Sequence, residues 1–198
     1  MVLYTKLALA DEFKRLEKIM PVNDITVKKL TTGTGMNHKT FYYHFDGMVG
    51  LMKFIFEREL VSLFEDSPVS GYDDWGDGVL KIMQYVKDNE KLLRSIAKSK
   101  YWPEMRFFFS SMYERYCACL LREVVKIVSE TDGVESGISE EAFDLNVSFY
   151  GLLFYTYMEK WFFEGIKIPK EQFFKNCIDV VGEKAMHDAV RRFRSQSR

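Results

Sequence analysis

Residues 25–45, ITVKKLTTGTGMNHKTFYYHF, constrain the fold more than any other stretch of the chain. Two short helical segments are divided there by a glycine. Helices shorter than about 12–15 residues are marginal alone in water, so both must pack against other elements. Thr26 stands at an N-cap position, and Val27 and Leu30 follow it with inward spacing. Gly35 supplies the positive φ that a tight helix-to-helix turn demands, and Asn37 caps the second segment. On a helical wheel Phe41 and Phe45 share one face of that segment, with Met36 joining them from the turn. Lys39 and Tyr43 lie opposite, Thr40 and Tyr42 flank them, and His44 falls between the faces. The helix is therefore anchored by phenylalanine and displays hydrogen-bond donors. No Asp or Glu lies between Ile25 and Phe45. A short helix, a glycine turn and a second helix that exposes donors without carboxylates read as a helix-turn-helix, whose second helix would lie in the major groove of DNA; the plain alternative is a Tyr42–Tyr43 pair packed under the first helix, with His38 and His44 as ordinary surface histidines.

The rest of the chain reads as helical too. Only 4 of its 198 residues are proline and 12 are glycine, while 47% are apolar, which points to an all-α protein with a real core. Leu9, Phe13, Leu16 and Met20 make one stripe of a helix over 5–20 that Pro21 stops. A longer helix is expected over 48–64, with Leu51, Ile55 and Leu63 inward. The loop SPVSGYDD marks a domain junction. Beyond it, helices are expected over 74–88, 90–98, 103–130, 139–164 and 170–192. Pro103 suits the first turn of the third of these, and Ser139 caps the fourth. The expected organisation is a three-helix helix-turn-helix domain over 1–50, a connecting helix over 51–66, and a second helical domain over 67–198.

Charge is uneven although its sum is near zero. Residues 1–53 carry eight Lys and Arg against five acids, a balance of plus three that suits a polyanion. Cys117, Cys119 and Cys177 show no CxxC spacing and read as reduced thiols of a cytoplasmic protein. Charges begin at Lys6, so no signal peptide is expected. The longest uncharged run, 145–158, is too short to span a membrane. His38, His44 and His187 are the only histidines. No HExxH, GxSxG, P-loop or dinucleotide fingerprint occurs, so no catalytic residue, metal site or cofactor is expected.

Two features of the second domain invite a functional reading. The run VSFYGLLFYTYMEKWFF is apolar on nearly all sides and must be covered on more than one. Phe149, Leu153, Tyr157 and Trp161 are the candidates to face a second subunit, with burial inside a monomer as the plain alternative. Tyr101, Trp102, Phe108, Tyr113, Tyr116, Tyr150 and Phe154 are candidate walls for an apolar or aromatic small molecule. Aromatics at helical spacing are more often simply core.

The stretch 25–45 also closely resembles the DNA-binding motif of the TetR family of bacterial transcription regulators, roughly I-T-V-x-x-I-x-x-x-A-G-V-S-x-x-T-F-Y-x-H-F. Ile25, Thr26, Val27, Leu30, Gly35, Met36, Asn37, Thr40, Phe41, Tyr42, His44 and Phe45 fill or nearly fill it. YTKLALADEFKRL resembles the first helix of that family, and the chain is most similar to a low-GC Gram-positive branch that includes regulators of dihydroxyacetone utilisation. The resemblance implies a homodimer on a two-fold double-stranded DNA operator, contacted by Thr26, Lys28, Asn37, His38, Lys39, Thr40, Tyr42, Tyr43 and His44. It implies a repressor released by a small-molecule effector or a partner signal. The alternative is an activator working with a protein coactivator, or an interaction module with a weakened helix-turn-helix. The chain departs from the pattern twice. Gly33 and Thr34 precede the turn glycine, which should soften the end of the second helix. Gly47, Met48, Val49 and Gly50 replace an Asp-Lys pair whose lysine meets a phosphate in the family.

Overall fold

The structure, a computed structural model, describes residues 2–65, 72–132 and 139–181. These residues form nine α-helices and no strand: α1 Val2–Glu17, α2 Val27–Thr34, α3 His38–His44, α4 Met48–Glu65, α5 Tyr72–Asp88, α6 Glu90–Ala97, α7 Trp102–Asp132, α8 Glu140–Phe163 and α9 Lys170–Val181, with a single 3-10 turn at Val22–Asp24. The all-α expectation stands. The first helix ends three residues earlier than expected, and the amides of Ile19 and Met20 both bond back to the Leu16 carbonyl. The part of the last expected helix beyond 181, with His187, lies outside the described residues.

The chain divides into two compact units. One takes residues up to 62 together with 88–108, the other 63–87 together with residues from 109 on. The expected junction at 67 is thus not the whole division, because α6 and its flanks pack with the N-terminal unit.

In the N-terminal unit, Leu9 and Phe13 of α1, Leu30 of α2, Phe41 of α3, and Leu51, Met52 and Phe56 of α4 build one core. Lys14 and Glu59 pair between α1 and α4. Gly33 does not end α2, which continues to Thr34 with the Thr31 and Thr34 hydroxyls donating to carbonyls one turn back. A Cβ at Gly33 would meet the carboxylate end of the Glu12 side chain, which would have to move aside. Glu12 accepts twice from the Arg15 guanidinium, at 2.7 and 2.8 Å. That hydrogen bonding holds its carboxyl below the ordinary range despite burial. Whatever stability this adds is present above the usual carboxylate pKa and is lost as pH falls through the lowered one.

In the second unit, Val79, Ile82 and Met83 of α5, Tyr116 of α7, and Met158 and Trp161 of α8 form the core, with Ile166 and the α9 residues Phe173 and Phe174 against it. The crossing of α7 and α8 is close: a Cβ on Gly151 would lie 2.9 Å from the Glu114 Cα and 3.2 Å from its amide nitrogen. Those are backbone atoms of a long helix and cannot swing aside. Gly151→Ala is therefore expected to lower stability by about 1–3 kcal/mol, against the usual gain from Gly→Ala in a helix. A thermal melt that shows stabilisation would mean the helices separate at no cost.

Trp161 corrects a sequence expectation. It is 2% exposed and its indole donates to the Ile168 carbonyl at 2.8 Å, so it faces its own subunit rather than a partner. Tyr157 also turns inward, with its ring centroid 6.5 Å from that of Phe173. Leu153 is half-buried and Phe149 exposed. The outward stripe of α8 is instead Leu145, Phe149, Leu152 and Phe163.

Candidate nucleic-acid interface

Local sequence sets the shape of the motif. Thr26 caps α2 by accepting from the Lys29 amide at 3.2 Å, and Gly35 closes α2 at φ 69°. Asn37 caps α3: its side-chain oxygen accepts from the Thr40 amide at 2.8 Å and from the Thr40 hydroxyl at 3.1 Å. α3 has seven residues and rests on Phe41, which is fully buried and packs on Phe45 at 5.7 Å between centroids. Tyr42, edge-on to that anchor, and Tyr43, opposite it, are 59% and 79% exposed. Thr26, Lys28, Asn37, His38 and Lys39 are exposed as well, while Thr40 and His44 are half-covered. The His44 ring stands edge-on to Tyr43, 5.0 Å between centroids.

All nine nominated DNA-contact residues thus lie on α2, on α3 or at their N-caps, and seven are open to solvent. Thr26 and Asn37 already use a side-chain oxygen as a cap, so toward a phosphate Thr26 offers its hydroxyl proton and Asn37 its amide N–H groups. Lys29 is turned back, donating to the Asp24 carbonyl at 2.9 Å. At the start of α4, Met48 is buried, so this end of the helix presents no cation. Gly47 sits at φ 114°, where a side chain is strained, whereas Gly50 has room for a Cβ at ordinary contact distance from Phe45. Only the first of the two glycines is demanded by the backbone.

The motif is also held from behind by residues that carried no sequence signal. The Val22 amide donates to the Ser95 hydroxyl at 2.9 Å, and the Lys100 amide donates to the Asn23 side-chain oxygen at 3.1 Å. Lys91 donates to the Lys18 carbonyl at 3.0 Å. These bonds tie α6 and its flanks to the turn that leads into α2.

The nominated ligand residues are divided. Tyr101, Trp102 and Phe108 belong to the N-terminal unit. In the second unit, Tyr113, Tyr116 and Phe154 line one cavity, joined by Val79, Met83 and Phe173. Tyr150 is half-buried, edge-on to Phe149, and does not line it. Among the described residues no cluster of His, Cys, Asp or Glu has the arrangement of a metal site, and no helix is long and apolar enough to cross a membrane.

A family model described as the C-terminal region of transcriptional regulators, of TetR type, matches residues 73–182. The chain belongs to the TetR family. This TetR-family protein is thereby a transcription regulator and not an enzyme. It is 26% identical over 92 residues to the HTH-type dhaKLM operon transcriptional activator DhaS of Lactococcus lactis subsp. lactis. That match covers 46% of this chain and 48% of the relative, so it spans about half the length of the curated relative. A solved structure, the dihydroxyacetone kinase operon activator DhaS, superposes with a TM-score of 0.61 over 90% of this regulator and 94% of that chain. At 19% identity the likeness is one of fold, and it places the TetR-family regulator in the same all-helical architecture.

Proposed function

We propose that the chain is a cytoplasmic homodimer that binds a two-fold DNA operator through α3 and answers to a signal received by its second unit. One observation carries this reading: α3 exposes Lys39, Tyr42 and Tyr43 from a fully buried Phe41 anchor, with Asn37 and Thr26 at the flanking helix starts. Exposed donors on a rigid stem suit base edges, and capped helix starts suit phosphates. The outward apolar stripe of α8 supports self-association, because a monomer has no use for Leu145, Phe149, Leu152 and Phe163 in water. The sense of regulation has two candidates. Repression follows the family's habit; activation is favoured by the similar proteins, both named as activators.

Selection of binding sites from random duplex DNA tests the core of the proposal. The enriched sites should be palindromes with half-site centres about one helical turn, 34–36 Å, apart. Sedimentation at micromolar concentration should give twice the chain mass. A clean monomer, or the absence of any enriched palindrome, would overturn the two-fold model. A reporter carrying the selected site then separates activation from repression. Affinity should fall with salt by about one phosphate contact less than in relatives that carry a lysine at the start of the fourth helix, since Met48 occupies that place.

A further inference from the structure

Resting on the effector reading above, we propose that the cavity of the second unit takes a small, uncharged, largely apolar molecule with a single hydrogen-bond acceptor, and that the Tyr113 hydroxyl donates to it.

The cavity lies among α5, α7, α8 and α9. Its walls include Val79, Met83, Phe154, Tyr157, Met158 and Phe173, and among the described residues no Lys, Arg, Asp, Glu or His lines it. Tyr113 lines it from α7, and its hydroxyl is buried without a hydrogen-bond partner, the one such side-chain atom among the described residues. Buried polar atoms in folded proteins almost always have a partner, so an orphan on a side chain that lines a cavity marks where something polar belongs once the walls give. Its ring is fixed edge-on to Tyr155, 5.7 Å between centroids. Tyr116 is committed elsewhere: its hydroxyl sits against α5 at Gly78, where any Cβ would strike it.

Charge sets the ligand class. A charged ligand would be buried with nothing to neutralise it. Burial pushes the Tyr113 hydroxyl well above its ordinary range and the Cys117 thiol up to about 12, so both stay protonated near neutral pH. Tyr113 therefore acts as a neutral donor. Tyr113 carries the one lining hydroxyl that is buried without a partner, which matches one acceptor; dihydroxyacetone, in the name of the similar activator of known structure, carries two hydroxyls besides its carbonyl, and beyond the Tyr157 hydroxyl an otherwise apolar wall leaves these unpaired. Size requires the walls to give. The free space is about 20 Å³, enough for little more than a water, and a larger guest must displace side chains. Met83 and Met158 are the residues suited to that, being unbranched and adaptable.

The test uses the full chain with [13C]methyl-methionine, the Met83 and Met158 signals being assigned by Met→Leu variants. Four probes are titrated without DNA: cyclohexanone, its acceptor-free isostere methylenecyclohexane, cyclohexanecarboxylate and dihydroxyacetone. Cyclohexanone should shift both methyl signals saturably and bind about tenfold more tightly than methylenecyclohexane, the worth of one hydrogen bond. The carboxylate and dihydroxyacetone should shift neither. Tyr113→Phe should bring cyclohexanone down to the level of methylenecyclohexane and leave the latter unchanged. The proposal is overturned by no saturable shift, which means a water-filled or empty cavity, by equal affinity for the two isosteres in the parent protein, or by preference for the carboxylate or dihydroxyacetone. Operator affinity is scored separately. A probe that binds as described but leaves operator affinity unchanged removes the effector reading and keeps the site. Loss of operator binding by every form of the protein removes the DNA reading and also keeps it.

Discussion

Trp161→Asp is expected to unfold the second unit rather than split a dimer. The indole is 2% exposed at the centre of the cluster formed by Val79, Ile82, Met83, Tyr116 and Met158. Its N–H satisfies the Ile168 carbonyl, which the chain brings round through left-handed backbone at Gly165 (φ 94°) and Ile166 (φ 53°). Removing a buried tryptophan costs about 3–5 kcal/mol. The substitution adds a carboxylate without a partner and orphans a carbonyl, so the total approaches the whole stability of a domain, about 5–15 kcal/mol. Phe149→Asp is the control. That ring is 63% exposed on the outward stripe of α8, so the variant should melt as the parent does while associating more weakly. Circular-dichroism melts and sedimentation of both variants give the answer. A Trp161→Asp protein that folds normally and sediments as a monomer would return the indole to the subunit interface.

The same contrast shows what the sequence carries and what it does not. Helix starts are local, and three of them were legible: Thr26, Asn37 and Ser139 each accept from a backbone amide three residues on. The face of α3 was legible because Phe41 and Phe45 are four apart and Lys39 and Tyr43 fall opposite them. The face of α8 was not. A helix apolar on nearly every side has no preferred direction in its own sequence. Whether Trp161 or Phe149 points inward is decided by where α7 crosses, and Gly151 sets that through contact with Glu114. The placing of α6 was hidden for a different reason. The bonds from Val22 to Ser95 and from Lys100 to Asn23 join residues 73 and 77 apart, and nothing in either segment announces the other. Gly33, read as softening the end of α2, is also the place where the Glu12 carboxylate meets that helix, a contact its own sequence does not announce. The aromatic residues of the second domain were overcounted because ring spacing does not separate a cavity wall from a packed core.

The other large effect is expected at α3. Lys39→Ala should reduce operator affinity at least tenfold while the melting temperature stays within the range of surface substitutions, about 0.5 kcal/mol. Lys39 is exposed and lies across the helix from the buried Phe41, so truncating it leaves the packing intact. The salt dependence then assigns its contact. If the ammonium meets a phosphate, the slope of log affinity against log salt falls by about one and all operators weaken alike. If it reads a base edge, the slope changes less and one operator position loses its preference. Phe41→Ala should behave in the opposite way. It leaves a cavity under a helix of seven residues and costs about 3–5 kcal/mol of local stability. So short a helix has no stability of its own, and its display of Lys39, Tyr42 and Tyr43 is lost with the anchor. Both variants lose DNA binding, but only Phe41→Ala loses it together with protection of the α3 amides from hydrogen exchange. If Lys39→Ala binds the selected operator as tightly as the parent, α3 does not present this face to DNA. The outward tyrosines would then have to be explained by another partner.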